Sequence, residues 1–148
     1  MRHFVLSQNF NVYKLDISPK TKTIMQPVND LKVRTKIFAL NIIKLVKSIP
    51  EDRIGRVLGN QILRSGTSVA ANYRSACKAR SKADFISKIT VVEEEADETM
   101  LWLELIMESD TLNNVLTKSL HKESNELTAI FTSSGKTAKE NNSKKKSS

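Results

Sequence analysis

Apolar residues recur through the middle of this chain at helical spacing. Leu31, Thr35, Phe38, Ile42, Leu45 and Ile49 follow a 4-3-4-3-4 rhythm, which lines one face of an amphipathic helix. That rhythm predicts a first helix over Asp30–Ser48, capped by Asn29 or Asp30, whose side-chain oxygens accept from free backbone N–H groups. Pro50 ends it or opens the next. A second helix is expected over Asp52–Arg80 and a third over Lys82–Glu108, the latter with Phe85, Ile89, Val92, Ala96, Met100, Leu103 and Met107 facing the core. A fourth begins at Leu112, capped by Thr111, and runs into the 130s with Leu112, Leu116, Leu120, Leu127 and Ile130 as its stripe and Phe131 beside it.

The breaker residues sharpen this picture. The chain has 4 Gly and 3 Pro, with neither between Thr67 and Ser134. An all-β fold needs a turn signal every ~8–12 residues, and βαβ enzymes need similar punctuation. Unbroken helix from Thr67 to Ser134 would be roughly 100 Å long, too long for one domain, so breaks are hidden inside. Ser81 followed by Asp84 reads as a capping box, and Ser109-Asp-Thr111 as the second break. Four helices joined by short loops make antiparallel neighbours, so the fold class is all-α, an up-down-up-down four-helix bundle over residues 29–138.

The flanks differ. Residues 1–28 lack a sustained period, contain Pro19 and Pro27, and read as an irregular leader. Met25 stands just before the helical region as an alternative start, which makes residues 1–24 either an over-long gene prediction or a genuine arm. From Lys136 the sequence is rich in Lys, Asn and Ser, and residues 139–148 are expected to form a disordered basic tail.

Charge changes the picture next. The net charge is +8, but it is unevenly placed. Residues 51–83 hold seven cations and two acids, whereas residues 84–110 hold one cation and nine acids. The high pI therefore owes most to the two ends, and the helical body is polarised rather than basic. Taking helix two as continuous, Arg53, Arg56, Arg64, Arg74, Lys78 and Lys82 fall within an arc of about 80°, with Arg80 pointing elsewhere. Such a line can neutralise a nucleic-acid backbone, or serve as a solvated face or one side of an ion-pair network. No aromatic residue interleaves with it, so base stacking is not indicated. On helix three, Glu93, Asp97, Glu104 and Glu108 share a face that reads as wet, and Trp102 on the opposite side reads as a core or interface anchor.

Gly55, Gly59, Gly66, Ala70 and Cys77 form a small-residue seam for a closely packed helix, from this chain or from another copy. Cys77 reads as a packing residue there. As the single cysteine it allows neither an internal disulfide nor a Cys-based zinc site, and a reducing compartment, the cytoplasm, is the expected location. His3 and His121 do not stand in Glu-x-x-His pairs, so no di-iron site is expected. No catalytic triad, metal set, phosphate loop or cofactor motif is visible, and no apolar run is long enough to span a membrane.

Several runs of residues carry a resemblance. They are Arg34-Thr-Lys-Ile-Phe-Ala-Leu40, Gln61 through Cys77, Ala79 through Lys88, Val92 through Thr99 with Trp102-Leu-Glu-Leu105, and Glu123-Ser-Asn-Glu-Leu127 with Lys136-Thr-Ala-Lys139. Over roughly residues 30–140 the chain closely resembles the bacterial four-helix-bundle proteins known as 23S rRNA intervening-sequence proteins. The resemblance implies antiparallel bundles assembled into ring-shaped homopentamers, many encoded inside insertions in 23S rRNA genes. A related accessory protein of diversity-generating retroelements implies nucleic-acid binding through a basic surface. No catalytic residue carries over. The expectation is a non-enzymatic homo-oligomer that binds RNA or DNA through the helix-two residues; the rival is a self-assembly module with no nucleic-acid role.

Overall fold

The structure is a computed structural model that describes residues 13–14, 26–27 and 30–146. Apart from a two-residue antiparallel pairing of β1 (Tyr13–Lys14) with β2 (Gln26–Pro27), the leader over 1–28 and Met25 lie outside the described residues. The rest is four helices: α1 (Leu31–Val46), α2 (Arg53–Ala76), α3 (Lys82–Glu108) and α4 (Val115–Lys146). They pack as a square in chain order, α1 on α2, α2 on α3, α3 on α4, and α4 back on α1. The fold is the all-α four-helix bundle that the periodicity predicts.

Each helix starts where a short polar side chain can satisfy free backbone donors. Asp30 accepts from Lys32 N at 2.8 Å, and Asp52 from Gly55 N at 2.7 Å. Ser81 accepts from Asp84 N at 3.1 Å while Asp84 reaches back to Arg80 N at 2.9 Å. That reciprocal box requires Ser81 to be extended (φ −154°, ψ 168°), so α2 unwinds at Ala76 and not at Arg80, the expected end. The unwinding turn closes with Lys78 N on Ser75 O at 3.0 Å and Ala79 N on Ala76 O at 3.1 Å.

The start of α4 also departs from expectation. Asn114, not Thr111, is the cap. Asn114 Oδ1 accepts from Thr117 N at 3.0 Å, and Thr117 Oγ1 accepts from Asn114 N at 2.9 Å. Asp110 takes a left-handed φ of 56° after α3, and Leu112 N then donates to Ile106 O at 3.2 Å. Leu112 therefore packs on the core from the loop. At the other end, α4 continues to Lys146, so most of the expected disordered tail over 139–148 is helix. Its lysines and Glu140 are good helix formers, and no proline stops it.

The core follows the predicted α1 face closely: Thr35, Phe38, Ile42, Leu45 and Ile49 are buried, with Leu31 at the edge. In α3 the buried line is Ile89, Val92, Ala96, Thr99, Leu103 and Ile106, so Thr99 and Ile106 take the places expected for Met100 and Met107. Thr99 can do so because its Oγ1 is hydrogen-bonded to Glu95 O at 2.7 Å and to Ser65 Oγ of α2 at 2.9 Å. Ser124 likewise ties α4 to α3 through Ala96 O at 2.7 Å. Among the described residues, every buried side-chain nitrogen and oxygen has a partner. The small-residue seam of α2 meets α1 of the same chain: Gly59 faces Val46 and Ile49, and Gly66 faces Ile42. Cys77 is a correction: it is exposed in the α2–α3 turn, because the helix ends before it.

Candidate nucleic-acid interface

The six basic residues are all exposed, but they do not lie on one helix. Arg53, Arg56, Arg64 and Arg74 are on α2, Lys78 is in the turn, and Lys82 opens α3. Along α2, Arg56 and Arg74 stand about 27 Å apart at 1.5 Å per residue. Arg64, between them, is engaged. Its guanidinium bonds to Glu98 Oε1 and stands 3.4 Å from Glu95, both on α3. The guanidinium bond holds the Glu98 carboxyl below its ordinary range, with Trp102 Nε1 adding a second bond at 3.0 Å. Burial pushes the Glu95 carboxyl up, against the pull of Arg64. The predicted line thus divides into Arg53 with Arg56 near one end of the bundle, and Arg74, Lys78 and Lys82 near the other.

The acidic face of α3 is less wet than its sequence suggests. Glu93 Oε1 accepts from Thr132 Oγ1 at 2.6 Å, and Glu104 Oε1 stands 2.9 Å from His121 Nε2, both across to α4. Asp97 and Glu108 remain exposed. Among the described residues, no three of His, Cys, Asp and Glu gather closely enough to hold a metal ion. Trp102 is half-buried against the core, an anchor as expected.

Sequence reasoning missed the strongest electrostatic feature. Arg34 of α1 grips Glu123 of α4 with two bonds, Nε to Oε1 at 2.7 Å and Nη2 to Oε2 at 2.8 Å, and reaches Glu126 at 2.7 Å. Glu123 is only 2% exposed. Its burial pushes its carboxyl up and Arg34 pulls it back, whereas the same bonds raise the guanidinium. The signal was a gap: the α4 stripe runs Leu116, Leu120, Leu127, and the turn between the last two offers the core only Glu123 and Ser124.

An apolar strip flanks the Arg64 contact. The antiparallel packing that sets Arg64 against Glu98 brings Val57, two turns before Arg64, level with Leu105, two turns after Glu98. Ile54 and Val57 are each 57% exposed, Leu101 48% and Leu105 40%. Large apolar side chains grouped like this on a soluble surface mark contact with another molecule. At the Arg74 end, Tyr73 stacks obliquely on Phe131 at 5.5 Å, and burial followed by the nearby Cys77 sulfur pushes its hydroxyl up to about 12.

These features define the class: an antiparallel four-helix bundle with a charge-sorted, partly apolar α2–α3 face. The chain belongs to the 23S rRNA-intervening sequence protein family, whose model matches residues 29–133. Among solved structures it is similar to a protein of unknown function from the S23 ribosomal protein family of Bacteroides thetaiotaomicron. The two share 37% identity and a TM-score of 0.65, over 70% of this chain and 95% of the other. Comparison with curated proteins gives no match. No described helix is long and apolar enough to cross a membrane.

Proposed function

We propose that this chain is a non-enzymatic cytoplasmic protein that works as a homo-oligomer, a pentameric ring of bundles. In this reading it binds RNA or DNA through Arg53, Arg56, Arg64, Arg74, Lys78 and Lys82. The observation that carries self-assembly is the group of exposed apolar residues Ile54, Val57, Leu101 and Leu105 on α2 and α3, with Val57 level with Leu105. The exposed cations Arg74, Lys78 and Lys82, gathered where α2 ends and α3 begins, support the phosphate contact. Mass-resolved size exclusion with and without RNA, at low and high salt, tests both parts. Val57→Glu with Leu105→Glu should give monomers; retention of the oligomer would overturn assembly through this groove. Arg64→Glu with Arg74→Glu should weaken RNA binding; unchanged affinity would overturn the α2 contact.

A second reading has its own support. Arg64 spends its charge on Glu95 and Glu98 within the chain, as a pure assembly module would have it. There, the charge reversals would alter the oligomer, and no nucleic acid would bind the unaltered protein at any salt.

A further inference from the structure

The topology gathers positive charge at one end of the bundle that the line along α2 does not capture. α2 ends there, α3 begins there and α4 finishes there. Their register is fixed by Gly135, whose position would place a Cβ 3.6 Å from Ile89 Cγ2, two turns into α3. Two further turns of α4 therefore bring it level with Lys82, and the helix continues to Lys146, about 6 Å beyond at 1.5 Å per residue. This end displays Arg74 from α2, Lys78 and Arg80 from the turn and Lys82 from α3, with Lys136 and Lys139 from α4, all exposed. Its acids are few. Asp84 accepts from Arg80 N and from Lys88 Nζ, each at 2.9 Å, and these bonds keep its carboxyl below the ordinary range. Glu140 on α4 and Asp30, the α1 cap, whose charge reaches Tyr73, are the others among the described residues. The opposite end is mixed, with Glu51, Asp52, Glu108 and Asp110 set among Arg53, Arg56 and Lys47.

We infer that the nucleic-acid phosphate backbone is held end-on, on the cap formed by the α2–α3 turn and the close of α4, and not along the side of α2. This rests on the nucleic-acid reading above and narrows it. Arg80, which the helical wheel sets aside, becomes a contact because the turn frees it from the α2 face. Arg53 and Arg56, at the far end among carboxylates, contribute less to the hold than the cap does. Several cations on one convex end, with few opposing carboxylates, concentrate the potential that displaces counterions from a phosphate chain.

The test uses the full chain and two labelled probes of about 20 nucleotides, a single-stranded RNA and a DNA duplex, titrated between about 50 and 200 mM salt. Lys78→Glu/Arg80→Glu/Lys82→Glu should weaken binding at least about tenfold and flatten the salt dependence, by about 0.9 in log–log slope per lost duplex contact. Arg80→Glu and Lys82→Glu add acids at the N-terminal end of α3, where the helix dipole favours them, which offsets Lys78→Glu just past the α2 C-cap, so helicity and melting should hold. Lys47→Glu/Lys118→Glu, at two exposed cations of the far end, should leave affinity within about twofold of the unaltered chain, since distant exposed charges are screened beyond about one Debye length, and Arg53→Glu/Arg56→Glu should cost less than the cap variant. If the Arg53/Arg56 variant loses as much as the cap variant, or the cap variant keeps its affinity, end-on binding is wrong while nucleic-acid binding stands. If the unaltered chain binds neither probe, both fall together. The probe bound more tightly identifies RNA or DNA as the source of the phosphate.

Discussion

Gly66 of α2 lies so close to Ile42 of α1 that a Cβ on Gly66 would stand 2.7 Å from Ile42 Cγ1. Ile42 is fully buried and has nowhere to move. The close approach explains why a residue with poor helix propensity stands in the middle of a 24-residue helix. Gly66→Ala gains about 1 kcal/mol of propensity but forces the α1–α2 seam apart, at about 1–3 kcal/mol for overpacking. The expected net effect is a lower melting temperature. Gly59 offers a control, because a Cβ there would meet Val46 at an ordinary 3.7 Å. Gly59→Ala should raise the melting temperature, and Gly55→Ala, which would collide with the Pro50 carbonyl oxygen, should lower it most. Thermal melts of the three variants check the order; an equal response at all three would contradict the seam.

The Arg34–Glu123 pair predicts a larger loss. Removing one partner leaves the other buried without compensation, which costs about 3–5 kcal/mol in interiors. Arg34 is 15% exposed and Glu126 stays within reach, so Arg34→Met should cost about 3 kcal/mol, the low end of that range. Arg34→Lys should fall between, because an ammonium keeps the charge but not the two-pronged grip. Denaturant unfolding measures both. A loss below about 1 kcal/mol for Arg34→Met, typical of a surface pair, would show that Glu123 is not committed to Arg34.

The same carboxylate sets a pH signature. Burial raises the Glu123 carboxyl above its ordinary 4.5, so between that value and the raised one the folded state holds more protons than the unfolded chain. Stability contributed by that proton is present below 4.5 and is lost as pH rises through the raised value. Glu98 has the opposite sign, since Arg64 lowers it, and acts only as pH falls below 4.5. Melting temperature should therefore fall more steeply from pH 4.5 upwards in the unaltered chain than in Glu123→Gln. Parallel profiles would remove Glu123 from the balance.

Capping gives a local prediction. Asn114→Ala should cost about 1 kcal/mol, because the Thr117 N–H loses its acceptor at the start of α4. Thr111→Ala should change stability by less than about 0.5 kcal/mol, as for surface sites away from special features. A reversed order in chemical denaturation would restore Thr111 as the cap.

That contrast shows what the sequence made legible. The α1 face was readable because its apolar positions obey one rhythm and Asp30 and Pro50 punctuate it. The Ser81–Asp84 break was readable because a capping box has a fixed spacing. Leu112 misled because a loop residue can pack on the core as well as a helical one does, and periodicity sees only packing. Thr99 takes the core place expected for Met100 because its hydroxyl is satisfied by Glu95 O one turn back and by Ser65 on α2, partners that periodicity does not register. The basic line failed as a single surface for a related reason. A wheel assumes one continuous helix, and the turn after Ala76 moved Lys78, Arg80 and Lys82 off it. An ion-pair network was one of the readings open to Arg64, but its carboxylate partners lie more than thirty residues away in the chain, so the wheel does not name them.

The brevity of α1 has a further consequence. It has 16 residues against 32 in α4, and its seam with α4 is much shorter than those joining the other neighbours, with Arg34 and Glu123 as its charged clasp. The other three helices form a longer, continuous stack that does not depend on it for their mutual contacts. Unfolding should therefore be stepped in character, with α1 detaching as a unit before the stack dissolves. Its departure would bare the glycine-lined flank of α2, where a neighbouring molecule's α1 could seat in its place. The clasp then guards against exchange of that helix between molecules as much as it stabilises any one of them.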